Sequence, residues 1–319
     1  MTTALLTHAD CHGHITPEGH PERVERLHAV LAALEGKALD RHDAPRATDE
    51  QLLRAHPQTH LDAVRAAEPA AGAGAVQLDP DTWMVNGSLA AAMRAAGGAC
   101  RAVDMVMAGQ ARNAFVATRP PGHHAEARKP MGFCLFGNVA VAAKHALEVH
   151  GLDRVAIIDP DVHHGNGTQD LVQNDPRILF VSTHQMPLYP GTGDRAETGP
   201  HGTVTNIPLS EGTEGDIYRK IVTARILPLL ERFAPQMIFI SAGFDAHKDD
   251  PLASLALEAE DFGWITEQLC AAADRLCAGR VVSCLEGGYG LEGLAASAAS
   301  HVDALIAAGG RGQAGAGAG

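Results

Sequence analysis

The chain has 319 residues, of which 45% are hydrophobic and 4% aromatic, and its formal net charge is −13 at pH 7. This length and apolar content allow one large α/β domain or two smaller ones. The acidic balance, without a cluster of Lys and Arg, argues against a nucleic-acid-binding protein, which normally presents a basic face. No apolar run approaches the roughly 20 residues of a membrane-spanning helix, and the N-terminus lacks a signal-peptide pattern.

The cysteines are scattered, form no CxxC pair, and in several cases lie in apolar runs. This pattern predicts reduced cysteines in the core of a cytoplasmic protein rather than a disulfide framework. The residues concerned are Cys11, Cys100, Cys134, Cys270, Cys277 and Cys284.

Short apolar strands alternate along the chain with longer helices rich in Ala and Leu. The predicted strands are 114–118, 155–158, 178–182, 237–240 and 281–285. The predicted helices are 21–34, 87–107, 138–150, 216–232, 258–276 and 291–306. The strands are nearly all apolar, as is typical of parallel strands that are covered on both faces. The alternation therefore predicts an α/β fold with helices on both sides of a central, mainly parallel sheet.

We expect one three-layer domain over residues 1–308, because no linker or internal repeat interrupts this pattern. The Gly/Ala-rich segment 309–319 is predicted to be disordered.

Four of the predicted strands run directly into polar, glycine-rich segments, at 119–124, 159–167, 242–245 and 286–290. In open α/β sheets, ligands bind outside the carboxyl ends of the strands. We therefore expect one edge of the sheet to collect the side chains of His123, His124, Asp159, Asp161, His163, Asp245 and Tyr289.

Asp161 and His163 are two residues apart, so in an extended segment their side chains point the same way. Together with Asp245 they would supply three metal ligands, and three ligands with an open position are typical of a catalytic metal site. Two carboxylates and one imidazole suit Zn²⁺ or Fe²⁺. Burying such groups without a partner would cost several kcal/mol, which favours a functional site over scaffold.

His123 and His124 follow a rigid Pro-Pro-Gly turn and could act as general base and as acid or electrostatic partner. Asp159 and Asn166 flank the metal-ligand segment and are candidates to orient the two rings. A carboxylate partner raises the basicity of a histidine and an amide does not, so we expect the two to titrate differently. Tyr289 follows two glycines, and its phenol could stabilise a developing oxyanion.

Four motifs occur in order along the chain: RPPGHHA at 119–125, DPDVHHGNGT at 159–168, SAGFDAH at 241–247 followed by DPL at 250–252, and LEGGY at 285–289. They resemble the metal-dependent histone deacetylase family. The last two, with Asn166 in place of an aspartate, resemble its class II branch and the bacterial proteins near it, including acetylpolyamine amidohydrolases. The resemblance extends from about residue 7 to residue 306.

The resemblance implies a single α/β domain of the arginase–deacetylase type. It implies zinc ligation by Asp161, His163 and Asp245, with Fe²⁺ as the other candidate metal. It also implies tandem catalytic histidines with their two partners and a catalytic tyrosine, at His123, His124, Asp159, Asn166 and Tyr289.

The same resemblance implies a substrate channel with aromatic walls and a structural potassium site. Asp81 would hold the substrate backbone, and the potassium site would involve Asp159, Asp161 and His163 with Ser182 nearby. The implied channel residues are Gly132, Phe133, Tyr189, Leu252 and Asp81.

The expected function is zinc-dependent removal of acetyl or other short acyl groups from acyl-lysine side chains, on a peptide or a similar small acylated amine, in the cytoplasm. Acetylpolyamine amidohydrolase activity is the alternative. The acidic balance favours it, whereas Leu252 stands where dedicated polyamine deacetylases carry a glutamate. A two-metal hydrolase of the arginase type and a non-catalytic acyl-lysine binder stay open, as does a homo-oligomer.

Overall fold

The computed structural model describes residues 2–311 of the chain. The strands are β1 (Thr3–Thr7), β2 (Leu39–Asp43), β3 (Val76–Asp79), β4 (Thr82–Met84), β5 (Asn113–Val116), β6 (Val155–Asp159), β7 (Ile178–Gln185), β8 (Val204–Leu209), β9 (Ile238–Ala242) and β10 (Val281–Leu285). The α-helices are α1 (Val24–Ala33), α2 (Asp49–Leu53), α3 (Gln58–Ala67), α4 (Ser88–Met107), α5 (Asn138–Glu148), α6 (Asn166–Val172), α7 (Gly215–Ile221), α8 (Leu227–Phe233), α9 (Ala259–Leu276) and α10 (Leu291–Arg311).

Eight strands form one central sheet in the order β2-β1-β5-β10-β9-β6-β7-β8. Every neighbouring pair in this sheet runs parallel, while β3 and β4 form a separate antiparallel hairpin. The predicted α/β fold with a central, mainly parallel sheet is confirmed.

Both faces of the sheet are buried. Adjacent residues of a strand point to opposite faces, and accordingly Leu5 and Ile158 belong to one hydrophobic cluster while Leu6 and Ile157 belong to another. Helices α1, α9 and α10 contribute to the first cluster, and α4 and α5 to the second. The six cysteines are all free and buried, as predicted.

The sheet has three strands that the sequence pattern does not reveal: β1, β2 and β8. The edge strand β2 reads LDRHD and is partly exposed along its length, so it lacks an apolar signature. The opposite edge strand, β8, contains Pro208, which is tolerated at an edge because no ladder hydrogen bond needs its missing N–H.

The prediction of a single α-helix over 216–232 is wrong in the middle of that range. Helix α7 ends at Ile221, a π-helical segment spans Val222–Ile226, and α8 begins at Leu227. Pro228 has no N–H to donate to the preceding turn, and a widened turn is one way for a helix to accommodate this loss.

Helix α10 continues to Arg311, three residues into the segment predicted to be disordered. Ala308 and Gly309 are buried there, and this packing extends the helix past the glycines. Residues 312–319, the rest of that predicted segment, lie outside the described residues. None of the helices within residues 2–311 combines the length and apolar character required to cross a bilayer.

Candidate active site

The predicted site residues follow four strands that are neighbours in the sheet, in the order β5, β10, β9 and β6. The register places Val116 beside Cys284 and Leu285 beside Ala242, so neighbouring strands end at the same level. Their carboxyl ends deliver four loops to one edge of the sheet, as the strand–loop pattern predicts.

The three candidate metal ligands converge in the buried interior at this edge. His163 Nδ1 lies 3.2 Å from Asp161 Oδ1 and 3.1 Å from Asp245 Oδ2. One ligand atom from each residue lies within 4.8 Å of the other two. Asp161 and Asp245 are fully buried, and His163 is 7% exposed.

Backbone N–H groups hold the two carboxylates in place. Gly287 N donates to Asp161 Oδ2 and Val162 N to Asp245 Oδ1, each at 2.9 Å. A Cβ at Gly287 would collide with both carboxylates. The glycine is therefore required by the close approach of the LEGGY backbone to the ligands.

The charges of this cluster match what a divalent cation requires. Burial and the charge of Asp161 raise the pKa of Asp245 to about 7. Burial opposes the protonation of His163, but hydrogen bonds to Asp161 and Asp245 raise its pKa to about 10. Two buried carboxylates thus need a positive charge between them. The donor set suits Zn²⁺ or Fe²⁺, so the residues fit the implied metal.

The tandem histidines lie beside the ligands with different partners. His123 Nδ1 is 3.1 Å from Asp159 Oδ2, and His124 Nδ1 is 2.7 Å from Asn166 Oδ1. Burial by itself would lower the pKa of His123, but the charges of Asp161 and Asp159 raise it well above its usual value. Burial and the charge of His123 lower the pKa of His124 well below the usual value of a histidine. The two shifts run in opposite directions, as the expected difference in titration requires.

Tyr289 is 8% exposed and faces the same cavity. Asp250 Oδ2 accepts a 2.6 Å hydrogen bond from its backbone N–H, and the Arg26 guanidinium lies 4.7 Å from its ring centroid. Burial raises the pKa of the phenol well above its usual value, so the hydroxyl keeps its proton at neutral pH and remains a donor.

A cavity of about 180 Å³ connects this cluster to the surface. Tyr189 is 38% exposed at its rim and stands edge-on to His124, with 5.2 Å between ring centroids. Phe133 stands edge-on to Tyr289 at 5.7 Å. All five predicted channel residues line it: Asp81, Gly132, Phe133, Tyr189 and Leu252. The other lining residues are His124, His163, Leu188 and Tyr289.

The implied potassium site shares Asp161 and His163 with the candidate metal ligands and adds Asp159 and Ser182. Ser182 pairs with Asp159 across β6 and β7, and its hydroxyl bonds to His184 Nδ1 at 2.9 Å. Asp159 Oδ1 accepts from Asp161 N at 3.2 Å. A monovalent cation at these residues stays a prediction.

Sequence reasoning missed a buried charged layer beneath the site. Glu22 binds Arg119 and Arg26. Arg26 in turn donates to the carbonyls of Glu286 and Gly288, which precede Tyr289 in its turn. The Glu286 carboxylate accepts from the backbone N–H of His123 at 3.1 Å. Glu286 directly follows the apolar strand β10, and a charged residue at that position was the available signal.

Comparison with known proteins adds an independent line of support. A family model described as the histone deacetylase domain matches residues 20–305. A "Probable deacetylase" of Archaeoglobus fulgidus is 40% identical over 302 residues, 92% of this chain and 83% of the relative. A "Histone deacetylase-like amidohydrolase" of Pseudomonas aeruginosa is 42% identical over 275 residues, 84% of this chain and 71% of the relative.

The fold comparison agrees with the sequence comparisons. The crystal structure of the HDA15 HD domain superposes with a TM-score of 0.90 at 34% identity, over 96% of this chain and 89% of that one. On the match to the family model and the extent of these similarities, the chain belongs to the histone deacetylase family.

Proposed function

We propose that this chain is a zinc-dependent amidohydrolase that removes acetyl or other short acyl groups from acyl-lysine side chains or similar acylated amines. The observation that carries the proposal is the approach of His163 to Asp161 and Asp245 within 3.1 to 3.2 Å, at the base of a cavity that Tyr289 also lines. The deacetylase names of its relatives support the same reaction class.

Asp161, His163 and Asp245 would hold the ion, which when bound polarises a carbonyl oxygen and lowers the pKa of water. His124 is suited to take a proton from the attacking water because its depressed pKa keeps the ring neutral near pH 7. His123 favours its protonated form, since its pKa is raised beside Asp161 and Asp159. It is therefore placed to stabilise negative charge and to supply a proton to the leaving amine.

Tyr289 would donate its hydroxyl to the substrate carbonyl oxygen as negative charge develops there. Its elevated pKa keeps this donor protonated. The turn that carries it is held by Asp250 and Arg26, so the phenol is positioned before the substrate binds, which lowers the cost of ordering it.

The cavity supports an aliphatic chain that ends in an amide as the substrate. Phe133, Tyr189, Leu188 and Leu252 give it largely apolar or aromatic walls, and such walls bury methylene groups favourably. Asp81 at the cavity is a hydrogen-bond acceptor for a substrate backbone N–H.

Two point variants test the proposal with an acetyl-lysine reporter peptide and metal analysis on the same sample. Asp245→Asn should lower both metal content and turnover, because it removes an anionic ligand. Tyr289→Phe should keep the metal and cut kcat by roughly a hundredfold, as is typical for the loss of one oxyanion donor.

The matched control is Tyr218→Phe, which removes a buried phenol that bonds Thr183 and lies outside the cavity. It should leave kcat unchanged. Full turnover by Asp245→Asn without bound metal, or equal losses in the two tyrosine variants, would overturn the assignment.

Acetylpolyamine hydrolysis is the second candidate, favoured by the net charge of −13 and by Asp81 at the cavity. Leu252 weakens it, because that wall offers no carboxylate to a free cationic amine. The ratio of kcat/KM for acetylputrescine to that for an acetyl-lysine peptide distinguishes the two, and we expect the peptide to be preferred.

We further propose a structural K⁺ at Asp159, Asp161 and His163, and a cytoplasmic location. Loss of thermal stability when K⁺ is replaced by a large organic cation tests the first, and fractionation of the host cell tests the second.

A further inference from the structure

A second cluster of two imidazoles and a carboxylate lies away from the candidate active site. Asp104 is in the last turn of α4, His145 is near the end of α5, and His150 follows that helix. Both helices lead into the amino-terminal ends of strands, β5 and β6, whereas the active-site loops leave the carboxyl ends of the same strands. The cluster therefore lies at the opposite edge of the sheet.

Both rings point one nitrogen at a single carboxylate oxygen. His145 Nε2 lies 2.8 Å and His150 Nε2 lies 2.7 Å from Asp104 Oδ1. The ring centroids are 5.5 Å apart, and the three candidate ligand atoms lie within 4.8 Å of one another. Two nitrogens and one carboxylate oxygen thus already lie close together.

The cluster is buried on the side of His145 and open to solvent on the side of Asp104. The side chain of His145 is 6% exposed, that of His150 22%, and that of Asp104 35%. The buried Nδ1 of His145 has no hydrogen-bond partner within the described residues, so the ring's polar interaction is at the Asp104 end. An ion could enter from solvent and keep water in its remaining positions.

The electrostatic setting favours a cation. Asp104 supplies a carboxylate whose Oδ1 bonds to both imidazoles. The carboxyl-terminal ends of α4 and α5 also carry partial negative charge. The nearby Arg54 is engaged by Glu50 and Glu148, so its charge is already compensated.

We propose that Asp104, His145 and His150 form a second, previously unassigned site for a divalent transition-metal ion such as Zn²⁺. Two imidazoles and one carboxylate are a common ligand set for Zn²⁺ and for its neighbours in the first transition series. In a tetrahedral site with bonds of about 2.0 Å the ligand atoms stand about 3.3 Å apart. The distances from Asp104 Oδ1 to the two Nε2 atoms are 2.8 and 2.7 Å. Each would therefore have to widen by about half an ångström to admit the ion.

The backbone allows this adjustment. His150 lies beyond the end of α5 and precedes Gly151, whose φ is +67°, so it is tied to neither helix. The bound ion would join the end of α4 to the end of α5, a structural role that is separate from catalysis.

The test is a Zn²⁺ titration of the untagged full-length chain, followed by equilibrium dialysis and metal analysis. At saturation the wild type should bind one more ion per chain than His150→Gln. Added Zn²⁺ at about a hundredfold over its Kd should raise the wild-type Tm by roughly 5 °C more than that of the variant. His150 is half-buried at a helix end, so the variant is expected to fold.

His201→Gln is the matched control, because it removes an exposed histidine elsewhere. Asp104→Asn is the second variant and should lose the same ion as His150→Gln. Equal stoichiometry in the wild type and both cluster variants overturns the proposal, as does an equal loss in His201→Gln. Acetyl-lysine turnover is recorded in parallel and should be the same in the wild type and His150→Gln, so the result is independent of the proposed function.

Discussion

At the scale of single residues, His123 and His124 show how different hydrogen-bond partners give two identical side chains different roles. Their ring centroids are only 4.0 Å apart, and both are almost fully buried. The carboxylate of Asp159 and the amide of Asn166 face corresponding Nδ1 atoms. This difference in charge favours a protonated His123 beside a neutral His124.

Replacing Asn166 by Asp should raise the pKa of His124, because the ring would then face a carboxylate. A neutral base is needed for turnover, so the acidic limb of the kcat profile should move to higher pH by about one unit or more. A pH profile of kcat from 5 to 9 measures this. Asn166→Gln, which keeps an amide, is the control, and an unmoved limb in Asn166→Asp would argue against His124 as the base.

The convergence of Asp161, His163 and Asp245 could be predicted because each lies within four residues of the end of an apolar strand. The layer beneath them could not. Arg26 lies in the first turn of α1 and reaches the Tyr289 turn across 262 positions of sequence. Such contacts depend on the packing of α1 against the sheet, and no local pattern encodes that.

At the scale of elements, the close contact of α4 with the segment after β2 depends on a glycine. A Cβ at Gly97 would overlap backbone atoms of residues 45–47, which follow β2. Backbone atoms have little freedom to yield, so the position requires the absence of a side chain.

Gly97→Ala should destabilise the fold by about 1 to 3 kcal/mol through this overlap. Gly310→Ala, in the last turn of α10, is the matched control because the added methyl group meets open space. That variant should be neutral or stabilising by up to about 1 kcal/mol. Urea denaturation gives both values, and equal effects in the two variants would contradict the close approach.

The elements that the sequence reveals are the doubly covered ones. Strand β10 reads VVSCL, is buried throughout, and was predicted with its observed boundaries. The edge strand β2 is polar and partly exposed, so neither composition nor periodicity marks it. The π-helical segment ahead of Pro228 depends on how the widened turn packs, which a helical period does not specify.

At the scale of the whole molecule, burial of a neutral histidine should make stability depend on pH. His301 bonds to Thr266 and Ser283 at 2.7 and 2.8 Å, and burial lowers its pKa to about 3. The unfolded chain takes up this proton near pH 6.5, so stability is full above that pH and falls as pH drops towards 3.

The variant His301→Gln lacks this proton linkage. It should be less stable than the wild type at pH 7.5, because the fit of the ring between two hydroxyl groups is lost. The difference in free energy of unfolding should shrink by about 2 kcal/mol between pH 7.5 and pH 5. Urea denaturation at both pH values measures it, and a gap that stays constant would show that His301 does not carry the dependence.

The most direct test of the central claim is to restore metal to the apo protein while turnover is measured. The His150→Gln chain is stripped with a chelator, and Zn²⁺ is returned in steps with acetyl-lysine peptide as substrate. We predict that turnover is lost on stripping and returns in proportion to Zn²⁺ bound, with a plateau at one ion per chain. Full turnover by the stripped protein would contradict the account.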